Sequence, residues 1–332
     1  MIPVLTNVNS WAKKGVFTEN LGNFVNFSKK ATKFTFMLNQ TKIQRIQALK
    51  SEYEQLRVKH DHLLKMITES ELPEMVYNSN AIENSTLTLK ETEKILLAQS
   101  LMRHVSLRET YEATNLARVI KYLWTRPNFE LTVENFELLH QMLLGGINDE
   151  YAGRIRHAGE YVRVGWHIAP PPERVRPMLE ELINDYHSDA SKYFLNKIAE
   201  FHLQFETIHP FCDGNGRMGR VLINLQLAAL GYPPVIIQNK GKRREYYPVF
   251  DEWRDRGGAG KFANCLHLAL SESLNKRLAF LRGDEIVKLS DYVKASNHGA
   301  PAYANAAKRQ AIPAFRQEGV WQIAKNYARN AG

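Results

Sequence analysis

Between residues 209 and 220 the chain reads His209-Pro210-Phe211-Cys212-Asp213-Gly214-Asn215-Gly216-Arg217-Met218-Gly219-Arg220, so a base, a carboxylate, three glycines and two arginines fall within twelve residues. The imidazole of His209 titrates near neutrality and can take a proton from a hydroxyl. Glycines at Gly214 and Gly216 let backbone amides turn inward into an anion nest. That nest lies where a helix begins, at the positive end of its dipole. Arg217 and Arg220, about one turn apart, present planar forks suited to phosphate. Asp213 beside a polyphosphate suits a magnesium ion that keeps much of its water. Taken singly these residues have plainer readings: a helix-end histidine, glycines serving a turn, or His209 with Cys212 as half of a zinc site that finds no second pair. Their combination is what favours chemistry.

Two helices must position this loop. Ile198, Phe201, Phe205 and Ile208 recur at helical spacing before it, and Pro210 cannot continue that helix. After it, Val221, Leu222, Leu225, Ala228 and Ala229 restart the period, which Gly231, Pro233 and Pro234 end.

The stretch matches His-Pro-Phe-x-(Asp/Glu)-Gly-Asn-Gly-Arg-x-x-Arg, the signature of the Fic family, at every fixed position. A pattern this long rarely arises by chance. The resemblance implies transfer of AMP from ATP to a Ser, Thr or Tyr hydroxyl of a target protein, or of the enzyme itself. It also implies that His209 deprotonates the hydroxyl, that Asp213 holds magnesium, and that Gly214, Asn215, Gly216 and Arg217 help hold the nucleotide. Arg220 then meets the gamma phosphate.

A second stretch, Ser79-Asn80-Ala81-Ile82-Glu83-Asn84, reads in isolation as a helix end followed by a new N-cap at Thr86 or Thr88. Ser79, Glu83 and Asn84 also match the (Ser/Thr)-x-x-x-Glu-(Gly/Asn) motif of Fic inhibitory helices. Its place before the signature resembles the family's second class. A carboxylate delivered to the nest would pair with Arg220 and take it from the gamma phosphate.

From Tyr161 to Ile168 alternation replaces the helical period, which predicts a short hairpin. It is either a solvent hairpin or, by resemblance, the Fic flap. In that case Val162, Arg163, Val164 and Gly165 offer an open strand edge to the target; His167 reads as structural. Tyr246 and Tyr247 resemble the tyrosine pair on the adenosine side of the family's pocket. Trp253-Arg254 stand where many relatives carry an Asn.

The composition is that of a globular protein: 332 residues, 44% apolar and 24% charged, long enough for about two units. No stretch approaches a membrane span. The first twenty residues do not resemble a signal peptide, and two cysteines are too few for a disulfide framework, so a cytoplasmic location is expected. A charge of +9 allows nucleic-acid, acidic or ATP partners and decides among none of them.

The expected fold is mainly α, a Fic-type helical bundle with a β-hairpin flap and a small C-terminal winged helix-turn-helix-like module. The divisions are a poorly ordered leader over 1–36, with five lysines against one acidic residue, and an N-terminal helical region with the inhibitory helix over 37–84. The catalytic domain covers 85–283 and the small module 284–332. The long amphipathic helix from Thr41 offers a face for another helix or a homodimer contact. In the module, helices over Leu289–Ala295 and Pro301–Arg309 flank a turn at Ser296–Gly299, with strands at Ile312–Phe315 and Gly319–Ile323. From Glu285 to the end, seven basic residues against three acidic ones allow DNA through Lys308 and Arg309. Competing readings are removal of AMP from a modified target by the same site, with Glu83 orienting a water, and a DNA-bound regulator.

Overall fold

The computed structural model describes residues 4–5, 38–101, 103–126, 128–165, 167–295 and 300–327, with Val4 and Leu5 as backbone only. The rest of the expected leader, Trp166 and the turn at Ser296–Gly299 lie outside the described residues.

Side-chain caps start the helices where the sequence supplies them. Asn39 caps α1 (Gln40–Leu56), Thr88 and Glu91 form a capping box on α4 (Leu89–Leu96), Ser106 caps α5 (Leu107–Trp124) and Thr132 caps α6 (Val133–Leu144). Between the first two lie α2 (Asp61–Ser70) and α3 (Leu72–Ile82), the latter with Pro73 in its first turn. Then follow α7 (Pro172–Ser188), α8 (Phe194–Ile208), α9 (Asn215–Ala229), the single turn α10 (Lys242–Glu245), α11 (Tyr247–Arg256) and α12 (Gly260–Leu281).

The α8–α9 hairpin is the wall between two cores. Phe201, Phe205 and Ile208 of α8 join Met218, Val221, Leu222 and Leu225 of α9 in one. Leu195, Ile198, Ala199 and Leu203 join Ile223 and Leu227 in the other, against α1 and α12. Both faces of each helix are therefore buried, and each large apolar side chain contributes roughly 1.5–3 kcal/mol. The loop between them cannot drift without unpacking a core. The apolar face of α1, open for a partner in the sequence reading, is taken by α12 of the same chain.

The hairpin is present as β2 (Tyr161–Val164) and β3 (His167–Ile168), paired antiparallel with Arg163 opposite Ile168. Its second strand is fixed to α8, because His167 Nε2 meets the Thr207 carbonyl at 2.8 Å. The edge expected to be open is occupied: β1 (Val4–Leu5) pairs with β2, Val4 opposite Val162.

The C-terminal residues build β4 (Ile286–Lys288), α13 (Leu289–Ala295), α14 (Ala300–Lys308), β5 (Phe315–Gln317) and β6 (Val320–Ala324), with strand order β4-β6-β5. β4 was not evident in the sequence, and the last two strands start later than their spacing suggests. Leu289, Val293, Tyr303, Ala307, Ile312 and Ile323 form a separate small core. Arg316 is committed to Glu272 of α12, Gln310 bonds Asn275 at 2.8 Å, and the Glu318 amide donates to Glu74 of α3 at 3.3 Å. Arg316 is thus withdrawn from any nucleic-acid face, while Lys308, Arg309 and Lys325, the last paired with Glu285 at the surface, stay exposed.

Glu71, at the start of α3, is buried against Lys276 at 3.0 Å and Arg277 at 2.7 Å. Burial alone would raise its carboxyl, but the two cations outweigh it and hold it below its usual value. Its contribution is therefore present above the ordinary carboxylate range and lost as pH falls through the lowered folded value. Glu71→Ala strands two buried cations and is expected to cost about 3–5 kcal/mol in urea unfolding at pH 7. A loss below about 0.5 kcal/mol would contradict this account.

Candidate active site

The end of α8 is shaped by a strained residue. His209 sits at its C-cap with φ 50°, a left-handed conformation that costs a non-glycine residue of order 1 kcal/mol or more. Arg156, fully buried, holds it there. Its Nε donates to the His209 carbonyl at 2.9 Å, and its other nitrogens reach the carbonyls of Ile208, Pro170 and Glu160. One guanidinium thus answers the orphan carbonyls at a helix end, where the dipole also favours a cation.

The far side of the loop rests on His140 of α6. Its ring stacks on Phe211 with centroids 3.8 Å apart; its Nδ1 accepts the Gly153 amide at 3.1 Å, and Nε2 therefore donates to the Asp213 carbonyl at 2.9 Å. Burial pushes this imidazole down to about 4, so it stays neutral and keeps that tautomer. Neither Arg156 nor His140 stood out in the sequence. Nothing in the pattern around either one marks it, because their partners lie 4 to 73 positions away and most are beyond the reach of local spacing.

Gly214 takes φ 82° at the N-cap of α9, and an added Cβ would meet Leu144 at 2.8 Å. Glycine is required there on both counts. Asn215, expected to touch phosphate, has its side chain engaged instead: Oδ1 accepts the Phe211 amide at 2.9 Å and Nδ2 donates to the Phe211 carbonyl at 2.8 Å. It closes the loop, with its second Nδ2 hydrogen and its backbone left for a ligand.

Glu83 lies over the first turn of α9. Its Oε1 accepts from Arg220 Nη2 at 2.8 Å, and a Cβ at Gly216 would come within 2.1 Å of that oxygen. Arg220 Nε donates to Ser79 Oγ and its Nη2 to the Ser79 carbonyl, each at 2.9 Å. Arg220 is 6% exposed, whereas the Glu83 side chain is 40% exposed. Burial would lower the guanidinium, but the Glu83 charge outweighs it and holds it above its usual value.

Asn84 takes φ 69° just beyond α3. Its Oδ1 accepts from Lys242 Nζ at 3.1 Å; the same ammonium donates to the carbonyls of Ala81 at 2.6 Å and Ile82 at 3.1 Å. Tyr247 donates to the Ile82 carbonyl at 2.8 Å. Tyr247 stays at the surface, but its neighbour does not behave as expected. Tyr246 is buried, its hydroxyl 2.9 Å from His202 Nε2 and its ring against Phe250 and Phe262, so it cannot stack on a base. Trp253 is likewise buried and donates to Thr207 at 3.2 Å.

Several buried polar atoms here have no hydrogen-bond partner: His209 Nε2, Arg217 Nε, Arg220 Nη1 and Glu206 Oε1, while Arg217 Nη1 has only a 3.4 Å ion-pair contact with Glu112 Oε1. Unanswered donors in a preformed concavity suit an anionic ligand. Arg217 Nη2 lies 3.4 Å from Asp213 Oδ1. Burial would raise Asp213, but Arg217 and Arg108 hold it below its usual value. Beneath the loop, burial and the Glu83 charge push Glu206 up to about 8. A cavity of about 1190 Å³ behind α3 touches Ser79 and Arg220 but none of His209, Asp213 or Gly214, so it is not this nest. On the flap, Val162 is buried, Val164 exposed, Gly165 takes φ 58° and Arg163 donates to the Gly165 carbonyl at 2.8 Å.

Residues 130–227 match the Fic/DOC family model. The chain is 32% identical over 211 residues to Protein adenylyltransferase Fic of Drosophila persimilis, covering 61% of this chain and 41% of that protein. For the protein of that name from Drosophila willistoni the values are 30% over 240 residues, 67% and 48%. The chain thus spans less than half the length of these relatives. Among solved structures, a Fic domain containing signaling protein from Bacteroides thetaiotaomicron superposes with TM-score 0.65 at 23% identity, covering 73% of this chain and 98% of that one. Fic-1 from C. elegans superposes with TM-score 0.63 at 24% identity, covering 73% of each. Residues 130–227, which hold the loop, its two helices and the hairpin, thus form a Fic-family domain, and the overall fold is shared with these solved structures.

Proposed function

We propose that the chain is a protein adenylyltransferase that moves AMP from ATP to a protein hydroxyl and is held inactive by Glu83. The observation that carries this reading is the Glu83 carboxylate lying on the first turn of α9, 2.8 Å from Arg220, where an anion nest and unanswered donors await a phosphate. A carboxylate there mimics the ligand's charge. It also removes Arg220 from the gamma phosphate, and an ångström of misplacement at the alpha phosphate costs ~100-fold in rate.

His209 Nδ1 lies 3.3 Å from the Glu206 carbonyl and so carries the hydrogen, which leaves the lone pair on Nε2. Nε2 takes the proton of the incoming hydroxyl, whose oxygen attacks the alpha phosphorus, and pyrophosphate leaves. The αL turn and Arg156 aim the imidazole; the nest amides, Arg217 and Arg220 stabilise the developing charge. Among the described residues no three His, Cys, Asp or Glu side chains converge on a metal cage. The single carboxylate of Asp213 nevertheless fits magnesium, which binds through one carboxylate plus nucleotide phosphates. When bound, magnesium neutralises phosphate charge. Tyr247 serves the adenosine side. A target strand would take the edge of β2 that β1 occupies, with main-chain bonds along Val162 to Gly165.

Among the described residues no helix is long and apolar enough to cross a membrane. The C-terminal module, stapled to α12 and α3, serves as a packing or contact element.

Glu83→Gly protein incubated with magnesium and alpha-labelled ATP is expected to label itself several-fold or more above wild type. Adding His209→Ala should abolish the label while nucleotide binding persists. Equal labelling of wild type and Glu83→Gly would sink autoinhibition, and label surviving in the double variant would sink the role of His209. Release of AMP from a labelled target would point to the reverse reaction.

Burial holds the His209 imidazole at about 4 despite the Glu206 carbonyl, so it is a neutral base throughout the physiological range. At saturating magnesium and ATP, kcat/KM of Glu83→Gly should be flat between about pH 6 and 8 and fall only as pH drops toward about 4. An acid limb centred near the unperturbed value of about 6.5 would show that the imidazole is solvated in the working enzyme.

A further inference from the structure

The outward oxygen of Asp213 is already taken. Oδ1 accepts the Gly214 amide at 2.7 Å, and Oδ2 accepts a 2.7 Å bond from Arg108 Nη2, a residue of α5 that the sequence pattern did not mark. Arg108 Nε donates to Glu112 Oε1 at 3.0 Å, and Glu112 Oε1 lies 3.4 Å from Arg217 Nη1. With Arg217 3.4 Å from Asp213, four side chains close a ring of alternating charge at the mouth of the nest.

Arg108 is out of place in its own helix. It occupies the first turn of α5, where the dipole disfavours a cation. A residue that breaks a local rule needs a compensating gain, and its bond to Asp213 is the gain on offer. It is also the movable member of the ring, with its side chain 40% exposed against 26% for Asp213 and 4% for Arg217.

We propose that Arg108 is a positioning residue that holds the Asp213 carboxylate and competes with a divalent cation for Oδ2. It thereby sets the cation concentration at which the site fills. The proposal rests on the reading of Asp213 as the cation's protein ligand. A guanidinium and a hard dication cannot share one outward oxygen without like-charge repulsion, so one must leave as the other arrives. Because the Arg108 bond is partly exposed, breaking it costs little, and the competition is a modest bias. Filling of the site thus favours the cation arriving with polyphosphate, whose own oxygens complete its shell.

The test is a titration of Mn²⁺ followed by electron paramagnetic resonance, in the presence of α,β-methylene-ATP, which cannot transfer AMP. All variants carry Glu83→Gly so that the nest is open. Arg108→Ala should bind Mn²⁺ roughly two- to fivefold more tightly than Arg108, with Arg108→Lys in between, and high salt should narrow the gap. Affinity unchanged or weakened by Arg108→Ala overturns the proposal. Arg108→Lys indistinguishable from Arg108 also overturns it, because only a through-space charge would remain. Asp213→Asn is the control for the underlying reading: Mn²⁺ binding indifferent to it removes Asp213 as a ligand, whatever Arg108 does. Since Arg108→Ala takes a cation from the positive end of a helix, folding should survive, and circular dichroism checks this.

Discussion

A guanidinium that is 6% exposed must have an anion or a set of acceptors beside it, and Arg220 is that group. Its charge is answered by Ser79 Oγ and the Ser79 carbonyl of α3 and by Glu83 Oε1 at that helix's C-cap. Its remaining nitrogen, Nη1, has no partner. Whatever else enters the nest has to replace the carboxylate without leaving the cation bare. A phosphate oxygen meets that requirement better than water in so buried a place. The exchange of one anion for another on Arg220 therefore links α3 to whatever α9 binds.

Because α3 and its C-cap carry the groups that answer Arg220, its attachment matters as much as its sequence. Its start is fixed by Glu71 between Lys276 and Arg277, and Glu74 accepts the Glu318 amide from the C-terminal module. At its other end, Lys242 and Tyr247 bind the carbonyls of Ala81 and Ile82, acceptors that a helix end leaves unpaired. Lys242 also sits at the negative end of the dipole. Both ends are thus held by residues more than 150 positions downstream.

The loop is rigid for a different reason. Its two helices are buried on both faces, and its own polar groups are satisfied from outside by His140 and Arg156 and from within by Asn215. Gly219 brings the helices close enough that an added Cβ would strike Glu206 at 2.6 Å and His202 at 2.8 Å. That packing dries the floor of the site, keeping His209 and His202 neutral and pushing Glu206 up. An imidazole at His209 that is neutral at neutral pH follows chiefly from that burial.

The sequence by itself determined what is local: the helical periods around residues 198–229, the stop at Pro210, the glycines that open α9, the alternation at Tyr161–Ile168, and the match to a family signature. Each depends on neighbours within a turn or two, and a pattern of apolar spacing or a conformational restriction records it. Only the tertiary structure decided which polar side chains meet. That Asn215 closes the loop, that Tyr246 is buried while Tyr247 is not, and that Arg108 holds Asp213 were not legible. Nor was the filling of the β2 edge by Val4–Leu5 or the withdrawal of Arg316 to Glu272. A charge or an amide has many chemically equal partners along a chain, and the choice among them is made by which faces the packed helices bring together.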